Sequence, residues 1–186
     1  MSYKFELGET FAFDLATTPR VFIPTHTSVL CVEAVCNQDP APGRVLDLGC
    51  GCGVVGIALA KLGYASEPLF ASDLSPEAVS LTLENCAIHK TVCDGRAGNI
   101  FEPWSNMEFD TIVNDVSGIA EKAAKLSPWF GEAIPCASGD DGTALTRAVI
   151  KAAPNYLTKN GELYIPVISL SRVERILEAA HLFFGT

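Results

Sequence analysis

The sequence lacks the features that define several protein classes. None of its seven cysteines forms a Cys-x-x-Cys pair, and its three histidines are far apart, so no zinc-site spacing is present. No apolar stretch of about 20 residues could span a membrane, and residues 1–20 do not have the pattern of a secretory signal peptide. These absences predict a cytoplasmic protein with reduced cysteines, no bound metal and no membrane partner.

Basic residues are also scarce, and they do not cluster. The chain has 13 lysines and arginines against 22 aspartates and glutamates, which gives a net charge of -9. An acidic surface repels a phosphate backbone, so the composition weighs against a nucleic-acid partner. With 186 residues, 48% of them hydrophobic, the chain suits a single globular domain that spans residues 1–186.

Apolar runs of strand length alternate with segments of helical period, which is typical of an α/β fold with a mainly parallel sheet. Residues 1–24 are predicted to be a lead-in segment, and residues 115–140, which have no obvious secondary structure, a substrate-side loop. The predicted strands are about 44–48, 68–72, 91–94, 109–113 and 162–168. The first predicted helix begins near 25–28, and later helices cover about 54–63, 75–89, 141–157 and 171–182. Ser75 is the predicted N-cap of the helix at 75–89, with Pro76 at its first position, and Asn160–Gly161 is the predicted turn before the last strand.

The most informative segment is Val-Leu-Asp-Leu-Gly-Cys-Gly-Cys-Gly, residues 45–53. It predicts a strand that ends in an acid, Asp47, followed by a glycine turn and a helix. Glycines allow positive φ and a close approach of a ligand to the main chain, and the helix start presents unpaired N–H groups. A carboxylate here would repel a pyrophosphate, but it suits an ammonium group or a hydroxyl-rich ligand.

Polar residues also follow two other predicted strands, where an open parallel sheet binds its ligands. Asp73 comes about 20 residues after the glycine turn, where an acid can bind both hydroxyls of a ribose. Asn114 follows the strand at 109–113. A dinucleotide dehydrogenase is the sharpest alternative, because residues 51–56 satisfy G-x-G-x-x-G, but a lone match is weak evidence. Asp47 and the early glycine at position 49 argue against it.

The glycine segment resembles motif I of the S-adenosylmethionine (SAM) dependent methyltransferases, and further blocks resemble the HemK/PrmC group of that class. Residues 21–33 match that group's V-L-I-P-R-P-E-T-E-L-L-V-E without gaps. Residues 109–114 resemble its F-D-L-I-V-x-N-P-P-Y up to the asparagine. Weaker blocks are 98–103, 139–142 and 157–163, which resemble G-D-L-F-E-P, G-x-D-G and L-x-x-x-G-x-L.

The resemblance implies a Rossmann-like, doubly wound class I methyltransferase fold, with SAM as cofactor and a glutamine side chain of a protein as methyl acceptor. In that class an antiparallel C-terminal hairpin usually completes the sheet, and no residues remain for it after the last predicted helix. Asn114 is the predicted catalytic residue, and Asp115 is a candidate proton acceptor. The predicted cofactor contacts are Asp47, Gly49, Cys50, Gly51, Gly53, Asp73, Leu74, Asn99, Ile100 and Asn114.

The residues after Asn114 depart from the family pattern. Asp115, Val116 and Ser117 stand where the group has proline, proline and tyrosine. Three hypotheses therefore remain open. The protein methylates a nitrogen of a protein side chain, or it methylates a small molecule or a nucleic-acid base, or it is a catalytically silent SAM-binding module that works with a small partner protein.

Overall fold

The computed structural model describes residues 1–116, 118–124, 126 and 138–185, so much of the predicted loop at 115–140 lies outside the described residues. The chain begins with a hairpin of two antiparallel strands, β1 (Ser2–Leu7) and β2 (Phe11–Ala16). The sequence analysis missed this hairpin, although Phe5, Phe13 and Leu15 alternate with polar residues at the strand period of two. These three side chains are buried against the rest of the protein.

A parallel sheet follows the hairpin and forms the centre of the molecule. Its strands are β3 (Val45–Leu48), β4 (Leu69–Asp73), β5 (Cys93–Ala97), β6 (Phe109–Val113) and β7 (Leu157–Tyr164). They lie in the order β5-β4-β3-β6-β7, and every neighbouring pair is parallel. The strand order therefore reverses between β3 and β6, and the ends of these strands border a crevice where such sheets bind ligands.

Helices cover both faces of the sheet, which confirms the predicted doubly wound α/β fold. The helices are α1 (His26–Gln38), α2 (Val54–Lys61), α3 (Pro76–Ile88), α4 (Glu121–Ala124), α5 (Ala144–Ala152) and α6 (Val173–Phe184). No helix of the described residues is long and apolar enough to cross a membrane.

Successive side chains of β3 point to opposite faces of the sheet, so the hydrophobic core has two parts. Val45 packs with α1, α2 and α3, whereas Leu46 and Leu48 face the opposite side with residues of α5. Trp104 lies in this second core and donates a hydrogen bond from Nε1 to Ser72 Oγ, at 2.9 Å. All four residues of β3 are buried, as expected of a central parallel strand.

The predicted strand boundaries hold within a few residues except at β7. The sequence predicts a turn at Asn160–Gly161 and a strand over 162–168, but the observed strand begins at Leu157. Between Phe109 and Thr111 of β6, the partner residues on β7 jump from Leu157 to Glu162, so the extra residues form a bulge within the strand. Gly161 allows it, because a Cβ there would lie 2.7 Å from the Phe109 carbonyl oxygen.

The segments on either side of β7 also differ from the prediction. The helix predicted over 141–157 is shorter, because it gives way after Ala152 to a 3-10 turn at Ala153–Asn155. Among the described residues, the chain continues from β7 into α6 and forms no antiparallel hairpin after the sheet.

Candidate functional site

A cavity of about 420 Å³ opens at the carboxyl ends of β3, β4 and β6, a volume typical of small-molecule sites. It lies at the reversal of strand order and against the start of α1. The predicted site residues that line it are Asp47, Gly49, Cys50, Gly51, Asp73, Leu74, Asn99, Ile100, Asn114 and Asp115. Gly53 is the exception, since it lies outside the lining.

The glycine turn forms the floor of this cavity. Gly49 has a φ of +79°, and a Cβ added there would overlap the Val116 side chain, so only glycine fits. The N–H groups of Gly49 and Cys50 both donate to the Ser72 carbonyl oxygen, at 2.7 and 2.9 Å, which fastens the turn to β4. Gly53 is the N-cap of α2 with a φ of +83°, and a Cβ there would lie 3.0 Å from the Thr82 side chain. Its role is therefore to form the turn.

Asp47 is a buried carboxylate beneath the turn, with 1% of its surface exposed. Its Oδ2 accepts a hydrogen bond from the Gly56 N–H at 2.8 Å, which ties the first turn of α2 to β3. Burial raises the pKa of this carboxyl to about 7, although the Gly56 hydrogen bond acts in the opposite direction. Asp47 is thus both a structural link and a titratable group at the cavity wall.

Asp73 has a more open environment at the end of β4. Its Oδ2 accepts from the Gly51 N–H at 3.0 Å, and its Oδ1 accepts from the Ser75 N–H at 2.9 Å. These two bonds fix the carboxylate at the cavity wall. Beyond it, Leu74 is 65% exposed, and Ile100 lines the cavity with the unusual φ of +48° for a β-branched residue.

Asn99 precedes Ile100 on the loop after β5. Its side chain is exposed at the cavity wall, and its backbone N–H donates to Glu102 Oε2 at 3.2 Å. Leu74, Asn99 and Ile100 therefore form an apolar surface with an amide group beside it.

Asn114 stands at the end of β6 and is 1% exposed. Its Nδ2 donates to the Leu48 carbonyl oxygen at 2.8 Å, and its backbone N–H donates to the Tyr164 carbonyl oxygen at 2.9 Å. Its Oδ1 is buried and has no hydrogen-bond partner among the described residues. A buried acceptor without a partner is costly, so this oxygen requires a donor from a ligand or from water.

Asp115 follows Asn114 in the chain, lines the same cavity and is linked to the start of α1. The Ser28 hydroxyl donates to Asp115 Oδ2 at 2.5 Å, and the Thr27 hydroxyl also hydrogen-bonds the carboxylate. Burial raises the pKa of Asp115, whereas these two hydroxyls act to lower it.

Several residues that support the site were missed by sequence reasoning. The fully buried Asn85 of α3 donates from Nδ2 to the carbonyl oxygens of Ala16 and Cys52, at 3.0 and 2.9 Å. Its Oδ1 accepts from the Ala16 N–H at 2.8 Å. Thr82, one helical turn earlier, donates to the Gly51 carbonyl oxygen at 3.0 Å. Two polar residues on the buried face of α3 were the available signal, since buried polar groups need partners.

The sheet order, the glycine turn after β3 and the acid after β4 define a Rossmann-like fold of the class I methyltransferase type. A family model described as "Methyltransferase small domain" matches residues 17–115, which is more than half of the chain. The chain belongs to this family.

Individual relatives agree with that assignment. A release factor glutamine methyltransferase of Geobacter sulfurreducens is 31% identical over 95% of this chain and 63% of its own length. A ribosomal protein L11 methyltransferase of Exiguobacterium sibiricum is 40% identical, over 46% of this chain and 24% of its own length. The chain therefore spans less than two thirds of each of these proteins. The first of them confirms the resemblance to the HemK/PrmC group.

A solved structure shows the same fold. The 16S rRNA methyltransferase RsmC of T. thermophilus superposes with a TM-score of 0.73 at 17% identity, over all of this chain and 46% of the other.

Proposed function

We propose that this protein is a SAM-dependent N-methyltransferase whose acceptor is a nitrogen in a protein side chain. The observation that carries the proposal is the buried, unpartnered Oδ1 of Asn114, which lies at the cavity wall at the end of β6. An amide oxygen at this point can accept a hydrogen bond from an N–H group of the acceptor. It would then hold the nitrogen in place for methyl transfer.

The cavity wall suits SAM. The Asp73 carboxylate is placed to accept hydrogen bonds from both hydroxyls of a ribose. Leu74 and Ile100 offer an apolar surface for an adenine ring, and the Asn99 amide lies where it could bind the exocyclic amine. Asp47 and the glycine turn are then proposed to bind the amino-acid end of SAM, because its ammonium group suits an acidic wall. The RsmC structure was solved with AdoMet and guanosine, which supports the same cofactor.

When bound, SAM supplies a methyl group that its sulfonium has already activated. The chain's own residues must align the acceptor nitrogen with that methyl group and exclude water. Positioning of this kind can lower a barrier by up to about 7–11 kcal/mol. Asn114 is proposed to orient the nitrogen, and Asp115 to accept the proton that it loses.

The proposed acceptor is a protein because the names of two relatives state protein substrates, a release factor and ribosomal protein L11. Glutamine is the acceptor named for the first of them. We place the reaction in the cytoplasm, and the formal charge of -9 weighs against a nucleic-acid substrate.

Transfer of radiolabelled methyl from SAM to a fractionated cell extract tests the proposal. We expect label in the protein fraction, and we expect Asn114→Ala to abolish it. The exposed Asn37, near the end of α1, gives a matched control, because Asn37→Ala removes the same group far from the cavity.

The other outcomes each contradict the proposal. Label that enters RNA or small molecules would identify the second class of acceptor. An absence of transfer despite SAM binding would identify a silent module that needs a partner protein. Full labelling by the Asn114→Ala variant would show that methyl transfer does not require Asn114.

A further inference from the structure

We propose that the acceptor nitrogen is a primary amine, which enters as an ammonium ion, and that Asp115 takes the proton that this nitrogen must lose. This inference rests on the proposed function and names the chemical class of its substrate.

The charge of the cavity wall favours a cationic acceptor. Of the three aspartates that line the cavity, Asp47 and Asp73 are proposed to contact SAM, which leaves Asp115 for the acceptor. Arg20 is the one basic residue among the described lining residues. The Arg20 side chain is 75% exposed, and its Nε lies 3.6 Å from Glu77 Oε1. Arg20 thus faces solvent and Glu77, and no basic side chain among the described lining residues forms an ion pair with Asp115.

Among the described residues, no basic group contributes to the pKa of Asp115. Its negative charge acts on Tyr3 of β1, Cys31 of α1 and Asp47 of β3, and all three are neutral or acidic groups. Burial raises the pKa of each, and the charge of Asp115 raises it further. The partners on α1 are the hydroxyls of Ser28 and Thr27, which orient the carboxylate but do not neutralise it. A buried carboxylate without a counter-charge either pairs with a cation or takes up a proton. Both fit a group that receives a proton from an ammonium ion.

Asn114 and Asp115 are consecutive residues that line the same wall. The Asn114 Oδ1 can accept one N–H of a bound ammonium group, and the Asp115 carboxylate can accept a second. A glutamine amide also offers two N–H groups, but it carries no charge and would leave Asp115 uncompensated. Phe22, Pro24 and Val116 line the cavity as well and give an apolar wall for a methylene chain.

The reaction balances with these groups. The ammonium nitrogen gives one proton to the Asp115 carboxylate and so regains its lone pair. The nitrogen then forms a bond to the methyl carbon of SAM while the carbon–sulfur bond breaks, and the electron pair of that bond stays on sulfur. The products are a methylammonium group, S-adenosylhomocysteine and a protonated Asp115, which returns its proton to solvent.

Acid hydrolysis of the labelled protein fraction distinguishes the two classes of nitrogen. An N-methyl amide is cleaved by hot acid and releases methylammonium, which leaves as volatile methylamine once the hydrolysate is made alkaline. A methylated amine keeps its label in a non-volatile amino acid. We expect non-volatile label. Chromatography of the hydrolysate then identifies the labelled amino acid. Methyl-lysine supports the proposal, whereas an α-N-methyl amino acid would place the acceptor at a chain terminus and contradict a side-chain acceptor.

Volatile label would overturn the amine proposal and leave the proposed N-methyltransferase intact. Label confined to RNA or small molecules, or no label despite SAM binding, would overturn both. The two failures are therefore distinct.

Variants at Asp115 test its role separately. We expect Asp115→Asn to slow methylation about 100-fold or more while SAM affinity, measured by calorimetry, is retained. The rate of this variant should rise about tenfold per pH unit between about pH 7 and about pH 9, because the free amine then forms in solvent. Glu84→Gln removes one exposed negative charge on α3 and serves as the control. A wild-type rate for Asp115→Asn, or a slow rate that does not change with pH, would show that Asp115 does not accept the proton.

Discussion

Three aspartates that line one cavity are placed in three different environments. Asp47 is buried beneath the turn, Asp73 is held by two backbone N–H groups, and Asp115 is held by two hydroxyls. Because the surroundings of a carboxylate determine both its pKa and its accessible atoms, each of these residues is suited to a different task. Asp47 supports α2, whereas Asp73 is proposed to bind a ribose and Asp115 to bind an acceptor.

The role of Asp73 gives a prediction at the scale of one residue. We expect Asp73→Ala to weaken SAM binding about 100-fold or more, because two hydrogen bonds to a charged group are lost, each worth about 1.5–3 kcal/mol. Isothermal titration calorimetry measures the affinity directly. Asp140→Ala, at an exposed acid outside the cavity lining, is the matched control. An unchanged affinity in Asp73→Ala would show that the ribose lies elsewhere.

At the scale of elements, α3 supports the glycine turn at the floor of the cavity through hydrogen bonds from its side chains. Its N-cap follows the predicted pattern, since the Ser75 Oγ accepts from the Ala78 N–H at 3.3 Å and Pro76 occupies the first helical position. Asn85 on the buried face joins the end of the N-terminal hairpin to the glycine turn. The hairpin therefore belongs to the support of the cavity.

Removal of this link should affect both stability and binding. We expect Asn85→Ala to lower the free energy of unfolding by about 3 kcal/mol, because three backbone groups lose their partner at once. SAM affinity should fall as well, since the Cys52 carbonyl is part of the turn. Urea denaturation and calorimetry measure the two effects. The neighbouring Glu84 is exposed, so Glu84→Ala is the control. Equal stability of the two variants would contradict this role for Asn85.

At the scale of the whole molecule, buried carboxyls make stability depend on pH. Burial raises the pKa of Asp47 to about 7 and raises that of Asp115, whereas hydrogen bonds from Thr143 and the charge of Arg175 lower that of Asp141. For Asp47, the folded state holds its proton more tightly than the unfolded chain does, with an unfolded pKa near 3.8. The stability that this proton provides is complete below the unfolded pKa and is lost as the pH rises to about 7.

The difference in unfolding free energy between wild type and Asp47→Asn isolates this effect, because asparagine does not titrate. As the pH rises from about 5.5 to about 7.5, we expect the wild type to lose about 2 kcal/mol of unfolding free energy relative to Asp47→Asn. Urea denaturation at several pH values provides the measurement. A difference that does not vary with pH would show that Asp47 stays ionised in the folded protein.

The order of strands and helices after residue 25 could be predicted because their signals are local. Apolar runs, the Ser75–Pro76 start and the glycine turn each indicate an element within a few neighbouring residues. The bulge in β7 could not be predicted, because the Asn160–Gly161 pair is typical of a turn and only contact with β6 extends the strand through it. The β1–β2 hairpin had a signal in its alternation that was not recognised.

By itself, the sequence determined the parallel α/β fold and the positions after β3, β4 and β6 from which the site is built, since strand ends meet at one edge of a parallel sheet. It also predicted the glycine turn after β3, because glycines allow positive φ. The tertiary structure decided what each polar group faces. It buried Asp47, bonded Asp115 to Ser28 from 87 residues away and left Asn114 Oδ1 without a partner among the described residues. Burial and hydrogen bonding between distant residues exist only in the packed chain, and they set the charge and the free acceptors of the cavity.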